Sequence, residues 1–242
     1  MDRKTRTIKR IMIPVSVIAV LAAAFFVYTG IYYHAGPAAL SALGSDDAVG
    51  VFKTDYGLLF DGPSSENAMI FYPGAKVEET AYAPLLHLLA EKGMDVCLVK
   101  MPFRFAFFGV NRAGSVIRQY DYKHYYIGGH SLGGAMAAGY AAAHGDELEG
   151  IILLAAYPTK ELDKDLLEIT VYGSEDEVLN MDKLAEGRKY SALYSEEYEI
   201  EGGNHAQFGD YGVQKGDGEA SISADEQRKQ TVDLIIRAAA ER

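Results

Sequence analysis

Cysteine is almost missing from this chain of 242 residues: there is one, Cys97. That excludes an internal disulfide framework and any cysteine-rich zinc site. Tryptophan is absent, so the aromatic part of a core must come from 17 Tyr and 10 Phe. Positive charge is in deficit, with a formal net charge of -11. This argues against a nucleic-acid partner, because phosphate binding needs a basic surface. There is no internal repeat, and the 24% charged fraction is neither that of a disordered chain nor of a low-complexity one. What remains is 49% hydrophobic and long enough to bury a sizeable core.

The charge is unevenly spread. Residues 1–10 hold Arg3, Lys4, Arg6, Lys9 and Arg10 against the single acid Asp2, a net +4, so the rest of the chain carries -15 of the total -11. Ile11 to Tyr33 then runs 23 residues without a charge. A helix of that length spans a hydrocarbon core of about 30 Å. Residues 11–33 are therefore expected to be a transmembrane signal-anchor in contact with the lipid bilayer. The basic stub 1–10 would stay cytoplasmic and everything after residue 33 would lie outside. Tyr28, Tyr32 and Tyr33 fall where an outer aromatic belt would sit. A cleaved signal peptide, releasing a secreted protein, is the alternative, but its apolar region is usually shorter and His34-Ala35-Gly36-Pro37 is a poor cleavage site. No Cys follows the segment to carry a lipid.

Residues 34–45 read as a short juxtamembrane helix or linker, and 46–242 as one domain. Strand-like stretches at 48–54 and 56–60 precede an alternation of short apolar runs with helical spacing. The runs are 68–72 (AMIFY), 95–99 (DVCLV), 125–128, 151–156 (IILLAA), 168–172 (EITVY) and 197–200. The helices fall at 78–92, within 101–119, at 132–144, near 179–190 and at 224–240. Such alternation predicts a mainly parallel, doubly wound α/β sheet, with the first two strands as an antiparallel edge. Only eleven residues, Tyr157–Leu167, separate two of the strands; a short helix fits there and a lid domain does not.

Gly129-His130-Ser131-Leu132-Gly133 matches G-x-S-x-G, between a strand candidate and a helix rich in small residues. A sharp strand-to-helix turn lifts a serine hydroxyl above the sheet edge, and flanking glycines let the backbone make it. The bland reading is a helix-capping serine beside a Gly-rich turn. A serine nucleophile needs an acid and then a histidine, in that chain order. Of six His, only His205 lies after a late strand, in Gly202-Gly203-Asn204-His205. The acid should follow the strand 168–172, where Glu175, Asp176 and Glu177 are available; Asp176 is preferred and Glu175 is the runner-up. Oxyanion donors are expected from the backbone N–H groups of Leu132, after the nucleophile, and Ala75, in the Pro73-Gly74-Ala75-Lys76 turn. The Phe-rich segment 101–108 is either an apolar wall of the site, a contact with the outer leaflet, or core. The loop 208–218 has spaced Asp residues without a calcium-loop pattern, and reads as a Gly-rich surface loop.

Taken in order, FYPGAKVE, GGHSLGGAMAA, YGSEDEV and GGNHAQFGDYG resemble the α/β-hydrolase family over roughly 46–242, near its small bacterial carboxylesterase-like and dienelactone-hydrolase-like branch. The resemblance implies a serine esterase acting on a small-molecule ester, with no cofactor and no metal. It carries over Ser131, Asp176 and His205 as a triad, with Leu132 and Ala75 as donors. Two departures stand out: Pro73-Gly74 replaces the usual His-Gly, and dienelactone hydrolases proper use Cys where Ser131 stands. An amidase or peptidase, an acyltransferase, or a non-catalytic binding protein on the same scaffold remain open alternatives.

Overall fold

The computed structural model describes residues 3–63 and 66–241. Eight strands form one sheet in the order β1-β2-β4-β3-β5-β6-β7-β8. They are β1 (Gly50–Lys53), β2 (Gly57–Asp61), β3 (Asn67–Tyr72), β4 (Met94–Val99), β5 (His124–His130), β6 (Gly150–Leu154), β7 (Leu167–Gly173) and β8 (Tyr194–Ile200). Only β2 runs against its neighbours, β1 and β4; all other pairings are parallel. The antiparallel edge is therefore where two strands follow each other without a helix, as a hairpin connection requires.

The helices are α1 (Arg3–Gly30), α2 (Pro37–Ser41), α3 (Ala83–Glu91), α4 (Ala113–Ile117), α5 (Leu132–Ala141), α6 (Met181–Gly187) and α7 (Ala224–Ala240). Alternate residues of a strand face opposite sides of the sheet, and here both sides are apolar. Met69 and Phe71 of β3, with Val96 and Leu98 of β4, pack with Leu85, Leu86 and Leu89 of α3 and Val232 and Ile235 of α7. Ala68, Ile70 and Tyr72, with Cys97 and Val99, pack with Val116 of α4 and Ala137, Ala138 and Tyr140 of α5. Strands buried on both faces leave continuous apolar runs, which is why IILLAA and AMIFY stand out in the sequence. The Cys97 thiol accepts from Tyr56 Oη at 3.3 Å inside this core, and burial pushes it up to about 12.

Three expectations need adjustment. Residues 34–45 do not hang outside the domain: the compact unit runs from Tyr33 to Arg242. Tyr33 bridges to Val77, Gly36 N–H donates to the Asp210 carbonyl, and Ala39 N–H donates to Asp210 Oδ2, so α2 is tied down by a distant loop. The connection between β6 and β7, residues 155–166, contains no helix. Pro158 and an Asx turn, in which Asp163 Oδ1 accepts from Asp165 N–H, favour irregular backbone there, and Leu162 and Leu166 seat it on the sheet. The expected helix over 101–119 is shortened to α4, behind three single 3₁₀ turns.

The N-terminal unit ends at Tyr32. Among the described residues no helix is long and apolar enough to cross a membrane. The first residues of the expected span, 11–14, and the basic stub lie outside the described side chains.

Candidate active site

β5 lies inside the parallel part of the sheet, and Ser131 follows it directly, ahead of α5. Ser131 holds φ 54° and ψ -124°, a region that a residue with a Cβ rarely enters. The turn is that tight because α5 starts almost on the end of β3. A Cβ on Gly133 would stand 2.1 Å from the Tyr72 carbonyl oxygen, and one on Gly129 would stand 2.5 Å from the same atom. Among the described residues, the non-glycine residues with positive φ are Lys76, Phe103, Arg104, Ser131 and Ala155. Each follows the carboxyl end of one of β3, β4, β5 and β6. Strain is thus concentrated along the sheet edge where open α/β sheets bind ligands.

His205 and Asp176 meet across that edge. Asp176 follows β7, and its Oδ1 accepts from the backbone N–H groups of Val178 at 2.9 Å and Leu179 at 2.8 Å. Its Oδ2 lies 2.8 Å from His205 Nδ1. A carboxylate has no proton to donate, so His205 Nδ1 carries the hydrogen and Nε2 is left as a base. Nε2 is buried and has no hydrogen-bond partner among the described residues. His205 and Ser131 line one cavity of about 250 Å³, together with Leu132, Ala135, Ala155, Ala156, Tyr157, Val178, Leu179 and Asn180. Glu175 and Glu177 are exposed beside the buried Asp176, so the structure joins only Asp176 to the imidazole.

Leu132 lines the cavity next to Ser131, while Ala75 does not. Ala75 sits one residue beyond Gly74, where a Cβ would stand 3.0 Å from His130 Nδ1. Of the Phe-rich segment, Met101, Phe105 and Ala106 are buried, as the core reading expects; Phe103, Phe107 and Phe108 are exposed, and none of them lines this cavity. Among the described residues no group of three His, Cys, Asp or Glu side chains is placed to hold a metal ion.

The model of the α/β hydrolase family matches residues 68–229, two thirds of the chain. The chain belongs to the α/β-hydrolase family. No curated protein sequence matches this hydrolase. Among solved structures it is similar to Est1E from Butyrivibrio proteoclasticus, at 14% identity and a TM-score of 0.57, over 80% of this chain and 100% of that one. It is also similar to carboxyl esterase 2 from the fungus Tuber melanosporum, at 11% identity and a TM-score of 0.59, over 85% of this chain and 89% of that one. A third likeness is to an α/β hydrolase from a sediment metagenome of the Mar Chica lagoon, at 11% identity and a TM-score of 0.60, over 81% and 99%.

Several residues that tie the candidate site together carry no signal in the sequence. The loop 208–218 is more than surface. Asp217 reaches back to accept from the N–H of His205 at 3.2 Å and of Ala206 at 2.8 Å, and Phe208 is fully buried. Gln227 of α7 accepts from Asn204 N–H and donates to the Asn204 carbonyl. These contacts span 11 to 23 residues of chain, and no short motif announces them. His130, the variable residue of the G-x-S-x-G turn, is fully buried against the His205 ring, at 4.4 Å between centroids. Its burial, then the neighbouring His205, holds its imidazole well below the ordinary range, so it is neutral.

Proposed function

We propose that this chain is a membrane-anchored, extracytoplasmic serine hydrolase that cleaves small carboxylic esters through an acyl-enzyme. One observation carries the catalytic part. A buried imidazole is oriented at 2.8 Å by a carboxylate, its other nitrogen has no partner among the described residues, and it lines the same cavity as a serine held in a strained strand-to-helix turn.

In this reading His205 Nε2 takes the proton of Ser131 Oγ as the oxygen attacks the ester carbonyl carbon. The carbonyl π pair moves onto oxygen, and the oxyanion faces the N–H groups of Leu132 and Ala75. Collapse expels the alcohol, which receives the proton from His205. Water then repeats the sequence on the acyl-enzyme and regenerates Ser131. Asp176 keeps the imidazole in one tautomer and stabilises the imidazolium; its own charge is held by Val178 and Leu179. The cavity, about 250 Å³ with apolar walls at Leu132, Ala135, Ala156 and Leu179, favours short acyl groups.

The anchoring part rests on residues 11–33, which carry no charge behind a net +4 stub. It also rests on α1, where Val17, Ile18, Val20, Leu21, Phe26 and Val27 point to all sides of the helix and are more than half exposed. A helix apolar all round calls for an apolar surrounding.

A p-nitrophenyl ester series on the full-length protein tests the reaction. Acetate and butyrate should turn over faster than octanoate, and Ser131→Ala should lower the rate by about 10³-fold or more. Unchanged hydrolysis in Ser131→Ala would end the proposal.

A further inference from the structure

The buried polar groups around His130 are not used by the reaction above, and they form a chain. Tyr82 Oη lies 3.1 Å from the backbone nitrogen of Gly74 and 2.8 Å from His130 Nδ1. The Gly74 N–H can only donate, so Tyr82 Oη accepts there, and the acceptor within reach of its own hydrogen among the described residues is His130 Nδ1. Burial pushes the Tyr82 phenol up, so it keeps that proton. His130 is then a neutral imidazole whose Nε2 carries the hydrogen and has no partner among the described residues, and its ring packs tilted against His205 at 4.4 Å and Phe208 at 5.5 Å. The contact is close enough that a Cβ on Gly74 would stand 2.7 Å from Tyr82 Oη and 3.0 Å from His130 Nδ1.

This chain joins three parts of the site that are far apart in sequence. Gly74 precedes the oxyanion candidate Ala75, His130 precedes the nucleophile candidate Ser131, and the His130 ring is the wall on which the base candidate His205 rests. We propose that Tyr82 and His130 are positioning residues. They form a strut that fixes the peptide of the Gly74–Ala75 loop relative to Ser131 and His205, and so hold the second oxyanion donor in place. The proposal rests on the triad reading given above. It accounts for two features together. A histidine fills a buried position where an apolar residue would pack, because a hydrogen-bond acceptor is needed there. It is kept neutral there, because a second cation would oppose the imidazolium that forms on His205.

The strut makes a distinctive kinetic claim, because an oxyanion donor acts on the transition state more than on bound substrate. The test uses the full-length protein with p-nitrophenyl acetate. Tyr82→Phe and His130→Leu should each lower kcat about 10-fold or more while KM stays within about twofold. His130→Gln, whose amide oxygen can accept from Tyr82, should recover most of the loss. The double variant Tyr82→Phe/His130→Leu should be no slower than the slower single one, since both cut the same strut. Melting temperatures and circular dichroism keep loss of fold apart from loss of rate. Three results would each overturn the strut: wild-type kcat in folded Tyr82→Phe, losses that multiply in the double variant, or no recovery in folded His130→Gln. Labelling of Ser131 by a fluorophosphonate separates this from the parent reading. If Ser131 is labelled in the wild type and Tyr82→Phe is labelled at the same rate, the strut alone fails. If Ser131 is not labelled at all, the triad reading fails and the strut with it.

Discussion

At the scale of single residues the choice among Glu175, Asp176 and Glu177 is the sharpest. Three acids in a row offer no pattern to separate them, and the difference lies in where the loop after β7 turns. Asp176 is turned inward by the Val178 and Leu179 N–H groups, while its neighbours face water. Asp176→Asn should therefore lower kcat by about 10³- to 10⁴-fold, because the amide would stabilise the wrong imidazole tautomer. Glu175→Gln should leave kcat within about twofold. Steady-state kinetics on the two variants checks this, and equal effects would count against the assignment. Ser131, Asp176 and His205 could be picked out as candidates because the chemistry imposes a chain order and each follows a strand. Tyr82, His130, Asp217 and Gln227 were not: their roles depend on contacts 11 to 48 residues apart, between residue types that are common everywhere.

Among the elements, α5 shows how closely the turn after β5 is built. Two glycines of the same helix should respond oppositely to the same substitution. Gly133→Ala would drive a methyl group into the Tyr72 and Pro73 carbonyl oxygens, at 2.1 and 2.4 Å, and should lower the melting temperature markedly. Gly139→Ala meets nothing within 4 Å and should stabilise by about 0.5–1 kcal/mol through helix propensity. Thermal unfolding of the two variants decides the matter. β4 carries a second, pH-dependent test. Asp95 is buried, which raises its carboxyl from 3.8 to about 6 despite bonds from Gly62 N–H and Tyr122 Oη. A raised folded value means that the folded state holds the proton more tightly than the unfolded chain. The stability this confers is complete below about pH 4 and is lost as pH rises towards 6. The difference in stability between Asp95→Asn and the wild type should therefore grow in favour of the variant between pH 4 and 6, as denaturant titrations at both pH values would show. The central strands were readable because strands buried on both sides leave apolar runs. The helix expected between β6 and β7 was not avoidable from spacing alone, since the residues of 155–166 suffice for one.

For the whole molecule, the uneven charge predicts an orientation. With a net +4 ahead of residue 11 and -15 after residue 33, a C-terminal alkaline phosphatase fusion should be active, and a C-terminal fusion to a reporter that works only in the cytoplasm should be silent. Inactive phosphatase would reverse or remove the anchor. The run of uncharged residues was plain in the sequence. That the domain begins as early as Tyr33 was not, because it depends on Asp210, far along the chain, caging Gly36 and Ala39. The one native thiol has a practical use at this scale. Cys97 lies in the middle of the sheet, fully covered, with its proton held to about 12. A maleimide or an oxidant meets no thiolate there. A cysteine placed anywhere on the surface would thus be the sole reactive site on the protein. Spin labels, dyes or cross-linkers could be attached one per molecule, with every native residue of the core left as it is.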